Sequence, residues 1–272
     1  MLDMPGGEEA SYYLLLRVFQ VAAVVFVTSG FMTGSPYGSQ SAYSGALAVD
    51  GRLGWIVMEL VSPAALLCSY LASSTAGPQA QYSAVTHVMC GLWVLHYTNR
   101  ALVYPLRQAS RKPMHIGVVL ASCMFNTVNG YLNGRWLSVF SNGLYTNAYW
   151  DVYQGRALLG LSLFVLGMAG NIYHDNVLMN LRQPGAQPAP GSARKYLVPC
   201  GGLFALVSCP HYFCEVVEWA GFAVLTQSPA AWAFVFGAAG NLLPRAYQIH
   251  KWYQREFPGY PANRKAMIPY VI

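Results

Sequence analysis

The sequence predicts an all-α integral membrane protein, one domain over residues 1–272, with about seven transmembrane helices. Three observations predict it. Of the 272 residues 55% are hydrophobic and only 10% charged, a balance far from that of soluble globular chains. Predominantly apolar runs close to the ~20 residues that cross a bilayer as a helix recur along the chain. Lys and Arg collect after alternate runs, as they do on the cytoplasmic side of a membrane protein.

The runs lie at about 11–32, 53–72, 82–104, 114–132, 155–174, 203–226 and 231–253. The chain opens MLDMPGGEEA, acidic where a secretory signal is basic, and the first run is too long for a cleaved peptide, so it is expected to stay as the first helix. The second run holds WIVMELVSP with Glu59, and the third holds Tyr97, Arg100 and Tyr104 at helical spacing. The fourth is flanked by Arg135, with Arg156 at the far edge of the connection that follows. The fifth ends in NIYHDNVLMNLR, where Asn171, Asp175 and Arg182 share one helix face. The stretch QPGAQPAPGSARKY, residues 183–196, reads as a mobile loop. The sixth run carries SCPHYFCEVVEWAGF, with His211, Glu215 and Glu218 at i, i+4 and i+7.

Orientation follows from the cations. Arg107, Arg111 and Lys112 follow the third run, Arg194 and Lys195 join Arg182 after the fifth, and Lys251, Arg255, Arg264 and Lys265 follow the seventh. The connections after the second and sixth runs have neither Lys nor Arg. This places the amino terminus outside and the carboxyl terminus in the cytoplasm, as an odd number of spans requires.

Several function classes drop out. The net charge of +6 forms no basic face on a polar domain, so no nucleic-acid partner is expected. The six cysteines show no CxxC pair and read as buried free thiols. His211 and Glu215 form an HxxxE pair, yet the six histidines make no HxxH box of the di-iron membrane enzymes, so no metal is expected. No GxGxxG or GxxxxGK[ST] is present, which excludes Rossmann and P-loop nucleotide binding. No repeat of the kind found in inverted-repeat transporters is visible.

Ionisable groups at membrane depth cost several kcal/mol unless they pair or face a wet cavity. Two accounts fit these. The groups are structural pairs, for example Glu215 or Asp175 with Arg100 or Arg245, or they line an internal polar chamber for a substrate, a proton or catalysis. The cytoplasmic cations likewise either set topology and touch lipid headgroups or receive a polyanion whose phosphates meet Arg and Lys. In that second case Asn171, Asp175 and Glu215 accept hydrogen bonds from ribose hydroxyls or amides.

Four segments then stand out in order: LHYTNRALVYPLR (95–107), GNIYHDNVLMNLR (170–182), YLVPCGGLFALVSCPHYFCEVVEWAGFA (196–223) and the tail FPGYPANRKAMIPYVI (257–272). Together with the WxxxEL segment around Glu59, they resemble the steroid 5α-reductase family of membrane NADPH-dependent reductases. The resemblance runs from Glu59 to the last residue. Its carboxyl-terminal half is shared with enoyl-thioester and polyprenol reductases, whereas HYxxRxxxYP and Glu59 are similar to the steroid branch.

The resemblance implies a seven-helix fold, NADPH as hydride donor, and reduction of a 4-ene-3-oxo steroid to the 5α product. It implies that Glu59 and Tyr97 are the catalytic donors to the ketone oxygen; a carboxyl removed from water favours its neutral form, which can donate. It implies cofactor binding by Arg100, Asn171, Asp175, Arg182, His211, Glu215, Tyr253 and Arg264. His211 departs from the pattern, since many members of the family carry Asn there. PLRQASRKP is one residue longer than in the family, which leaves open whether Arg111 or Lys112 contacts a phosphate. Glu218 is expected to tie helices together. The expected partners are a steroid or other lipophilic enone and the lipid bilayer, with the protein a monomer in the endoplasmic reticulum of a eukaryote or the inner membrane of a bacterium. The rival readings are an enoyl-thioester or polyprenol reductase of the same superfamily and a lipid transporter or binding protein.

Overall fold

The computed structural model describes residues 7–33, 45–72, 83–109, 111–181 and 197–272. In chain order the elements are α1 (Gly7–Thr33), β1 (Ala48–Val49), α2 (Gly51–Leu71), α3 (Ala84–Tyr97), a π-helical segment Thr98–Val103, α4 (Tyr104–Arg107), β2 (Met114–His115) and α5 (Ile116–Arg135). A second π-helical segment, Trp136–Phe140, leads to α6 (Tyr149–Val152), α7 (Gln154–Asn180), a 3-10 turn at Gly202–Ala205, α8 (Pro210–Thr226) and α9 (Pro229–Glu256). Local chemistry starts the helices where they start. Asp50 accepts from the Arg52 and Leu53 amides at the head of α2, and Ser83 and Thr86 form a reciprocal capping box on α3. Pro210 and Pro229 open α8 and α9, where the missing N–H costs nothing.

Side-chain pairs give the direction of each helix against its neighbours. Along α7 and α8, Gly160 meets Leu225 and Gly167 meets Glu218, so the two are antiparallel. Along α2 and α5, Gly54 meets Val119 and Gly130 meets Ser62, so these run parallel. Tyr12 donates to the Leu132 carbonyl and Phe19 packs on Phe125, setting α1 against α5. Gly237 faces Ala23 and Phe31 faces Tyr247, which makes α1 and α9 parallel. Trp55 meets Arg100 and Tyr70 meets Thr86, so α2 and the third run are antiparallel; His96 meets Glu218 and Arg100 meets Glu215, so the third run and α8 are antiparallel too. Helices α1, α3, α7 and α9 therefore point one way and α2, α5 and α8 the other.

The α7–α8 contact is close along its length. A Cβ on Gly167 or on Gly221 would sit 2.4 Å from a backbone nitrogen of the facing helix, so main chain packs on main chain, as small residues allow. At the centre Trp93, Tyr97, Trp219, Phe222 and Phe234 form one aromatic cluster. The outward faces carry Leu14, Val21, Met124 and Leu166, all exposed, an apolar exterior consistent with an all-α membrane protein. Among the described residues two helices, α2 and α7, are long and apolar enough by themselves to cross a membrane.

The structure corrects two of the sequence-based runs. The sixth begins at Pro210 rather than 203, because Gly201 and Gly202 take positive φ and Val207 pairs with Lys265 of the tail. The third is not one helix to 104: it leaves α geometry after Tyr97. A two-stranded antiparallel pairing of β1 with β2, not anticipated from the sequence, ties the head of α2 to that of α5.

Candidate active site

The break in the third run has a local cause. In the π-helical segment the Tyr104 amide bonds back to the Asn99 carbonyl, and the residue that would serve the Arg100 carbonyl in turn is Pro105, which has no N–H. The indole nitrogen of Trp55 on α2 donates to that carbonyl instead, at 2.9 Å. The backbone so held turns the Arg100 guanidinium inward. It lies over the rings of Trp55 and Tyr104, at 5.2 and 4.8 Å.

From there Arg100 reaches two carboxylates on two helices. Nη1 donates to Asp175 Oδ2 of α7 at 3.1 Å, and Nη2 lies 3.2 Å from Glu215 Oε2 of α8. Asn171, one turn before Asp175, donates through Nδ2 to Glu215 Oε2 at 3.3 Å and to the His211 carbonyl at 3.0 Å. Arg100, Asn171, Asp175 and His211 are all buried. Five of the sequence-predicted cofactor residues thus meet at one junction of three helical segments. His211 joins it through its main chain, so the contact to Asn171 does not depend on the identity of that side chain.

Glu59 and Tyr97 border this junction. Glu59 on α2 lies within electrostatic reach of Arg100, Glu215, His96 and Arg111, and Tyr97 within reach of Glu59, Glu215 and Arg100. The Tyr97 ring rests on Trp93 and Trp219 and is almost fully buried. A carboxyl and a phenol therefore approach one another from α2 and α3 beside a buried arginine.

Tyr253 and Arg264 belong to a second cluster, where α9 meets the tail. Tyr253 stacks on Tyr260 with centroids 5.2 Å apart, Arg264 lies over the Tyr260 ring, and its Nη1 donates to the Pro199 carbonyl at 3.1 Å. Ser208 joins His250 and Tyr260 there, at 2.6 and 2.7 Å. The tail is locked in place by Lys265 N–H to Leu206 O and Cys209 N–H to Ala266 O. Arg182 lies outside the described residues.

Two groups were missed by sequence reasoning. His96 donates to Glu218 Oε1 at 2.7 Å, which supplies the partner that the sequence could not name for Glu218. His174 donates through Nδ1 to the Gly170 carbonyl and accepts the Leu203 amide at Nε2, so a neutral imidazole pins the GGLF turn to α7. Each is adjacent to a residue that was singled out, Tyr97 and Asp175, but its partner comes from a distant segment.

The chain has relatives that bear on this arrangement. The family model described as 3-oxo-5-alpha-steroid 4-dehydrogenase matches residues 112–272. The 3-oxo-5-alpha-steroid 4-dehydrogenase 1 of Bos taurus is 37% identical, over 89% of each chain, and that of Homo sapiens is 37% identical, over 88% of this chain and 87% of its own. A steroid 5-alpha-reductase of Gossypium hirsutum is 34% identical over 98% of this chain and all of its own. At this identity and coverage the chain belongs to the 3-oxo-5-alpha-steroid 4-dehydrogenase, or steroid 5-alpha-reductase, family of oxidoreductases.

Proposed function

We propose that the protein reduces the 4,5 double bond of 3-oxo-4-ene steroids, or of a closely similar lipophilic enone, with NADPH, to give the 5α-reduced 3-oxo product. The observation that carries this reading is the junction of Arg100 with Asp175, Glu215 and Asn171 immediately beside Tyr97 and Glu59, in a chain of this family.

NADPH supplies the hydride when bound. Reduction at the carbon β to a ketone gathers negative charge on the ketone oxygen, and hydrogen-bond donors fixed at that oxygen are worth most where water is excluded. Glu59 and Tyr97 are the pair that can present an O–H from each side. Asn171, Asp175 and Glu215, with Arg100 balancing the two carboxylates, offer acceptors for amide and hydroxyl groups. The fit of a phosphorylated dinucleotide is tested by the cations. Arg111 Nη1 and Arg264 Nε are buried and have no hydrogen-bond partner among the described residues, so each keeps a donor for a phosphate. Arg111 is partly buried with its guanidinium 4.0 Å over Trp55, whereas Lys112 is exposed. Arg111 is therefore assigned the phosphate contact, with Tyr253 and Arg264 completing the cytoplasmic end of the site.

In this reading the alternating helix directions are seven crossings of the bilayer, the amino terminus outside, and a monomer takes its lipophilic substrate sideways from the membrane. The test uses protein purified in detergent, NADPH and progesterone or testosterone, following NADPH absorbance. Glu59→Gln is expected to keep NADPH binding and to lose about 10²–10³ in kcat. Unchanged turnover in that variant refutes the role given to Glu59.

A further inference from the structure

Two polar rungs join the third and sixth runs, and they straddle Tyr97. Arg100 to Glu215 is one. The other, His96 to Glu218, lies on the opposite side of the point where α3 widens into the π-helical segment. Both members of the second rung are at least nine-tenths buried, and Glu218 Oε2 has no hydrogen-bond partner among the described residues. A buried pair with one oxygen unsatisfied is a poor way to gain stability, because apolar groups of the same shape would cost less desolvation. Its retention in the core calls for a different reason.

The surroundings supply one. The His96 ring packs against Trp219 at 4.4 Å and edge-on against Tyr97 at 5.0 Å, while Tyr97 also rests on Trp93 and Trp219 and meets Ser62 of α2 through its hydroxyl. Stacked rings slide on one another at little cost, whereas a hydrogen bond fixes both distance and direction. The bond of His96 to α8 fixes the cage where the α3 backbone changes pitch, independently of the Tyr97 hydroxyl.

We propose that the His96–Glu218 pair is a positioning device that holds Tyr97 in register with the cofactor-side groups of α8 during enone reduction. The proposal rests on the role given above to Tyr97. Neither His96 nor Glu218 touches the reacting atoms; they act through the ring of Tyr97 and through Trp219.

The experiment compares wild type with His96→Leu/Glu218→Leu, His96→Asn and His96→Gln. Asn keeps a donor at the place of Nδ1, and Gln moves it to the place of Nε2. The leucine pair is expected to melt close to wild type and to bind NADPH within about twofold, since hydrophobic replacement of a buried pair is near neutral. Its kcat is expected to fall about 10- to 100-fold with KM little changed, the size of effect that a misplaced catalytic group produces. His96→Asn should recover most of kcat and His96→Gln should not. Wild-type kcat in the leucine pair overturns the proposal. Should that pair fail to fold, equal kcat in His96→Asn and His96→Gln overturns it instead. Absence of any NADPH-dependent enone reduction by the wild type sinks the proposed function and this inference with it, whereas an active wild type beside an equally active leucine pair sinks this inference alone.

Discussion

Gly167→Ala is the sharpest probe of how the site is held, because its effect can be worked from contacts that cannot relax. A Cβ at position 167 would stand 2.4 Å from Glu218 N, 2.6 Å from Glu218 Cα and 2.7 Å from Cys214 O. All three are main-chain atoms of α8, so no rotamer change makes room. Restoring ordinary carbon contact parts α7 from α8 by about 1 Å. The hydrogen bonds of Asn171 to Glu215, already 3.3 Å, and to the His211 carbonyl span that gap, and both are lost. Overpacking and the two broken bonds together come to about 2–5 kcal/mol. Thermal melting in detergent and an NADPH titration measure it: a lower melting temperature and affinity weakened by about tenfold or more are expected, since the misplaced groups include Glu215. Gly155→Ala, on the same helix with nothing within 4 Å of its Cβ, is the control and should match wild type. Gly167→Ala behaving like Gly155→Ala would refute the backbone contact and the positioning argument built on it.

Two further outcomes follow from the charges. Arg100→Met leaves Asp175 and Glu215 buried together without their cation and should destabilise by about 3–5 kcal/mol; adding Asp175→Asn and Glu215→Gln should restore the melting temperature but not NADPH binding. Arg111→Gln should lower the preference for NADPH over NADH by about 10- to 100-fold, the worth of a charge-assisted phosphate contact. Lys112→Gln, at an exposed position, should stay within about twofold by the same titration.

Much of this was legible in the chain. Apolar run length located α1, α2, α5 and α9 to within a few residues, and the start of α7 but not its end, which runs on to Asn180 through the polar NIYHDN stretch. The pairing of Arg100 with Asp175 and Glu215 was one of the open sequence alternatives, since buried charge must be compensated and few partners of opposite sign were available. What could not be read is which of two chemically equivalent partners wins. Glu218 had no evident partner because His96 lies 122 residues away, and only the antiparallel approach of α3 and α8 makes them neighbours. The start of α8 was missed because residues 203–209 are apolar like a helix, although their amides and carbonyls are used by the tail, as with Ser208 N–H to Lys265 O and Lys265 N–H to Leu206 O. Composition carries no trace of that exchange.

The break after Tyr97 is the deeper case, because it was written in the chain in a form that periodicity hides. Spacing of three and four put Tyr97, Arg100 and Tyr104 on one face only while the helix keeps its ordinary pitch. The Tyr-Pro pair at 104–105 removes one donor, the π-helical turn moves another, and the Arg100 carbonyl loses both. A buried carbonyl without a partner costs about 1–3 kcal/mol, so the fold is stable only if another element reaches it, and Trp55 does. The same indole then lies beneath the guanidinium groups of Arg100 and Arg111. One residue of α2 thus repairs the backbone that the proline disrupts and orients two cations within electrostatic reach of Glu59, four residues further along its own helix. The irregular backbone and the polar site are one feature: the wider turn gives Arg100 its inward direction, and Trp55 satisfies the carbonyl that the turn leaves open.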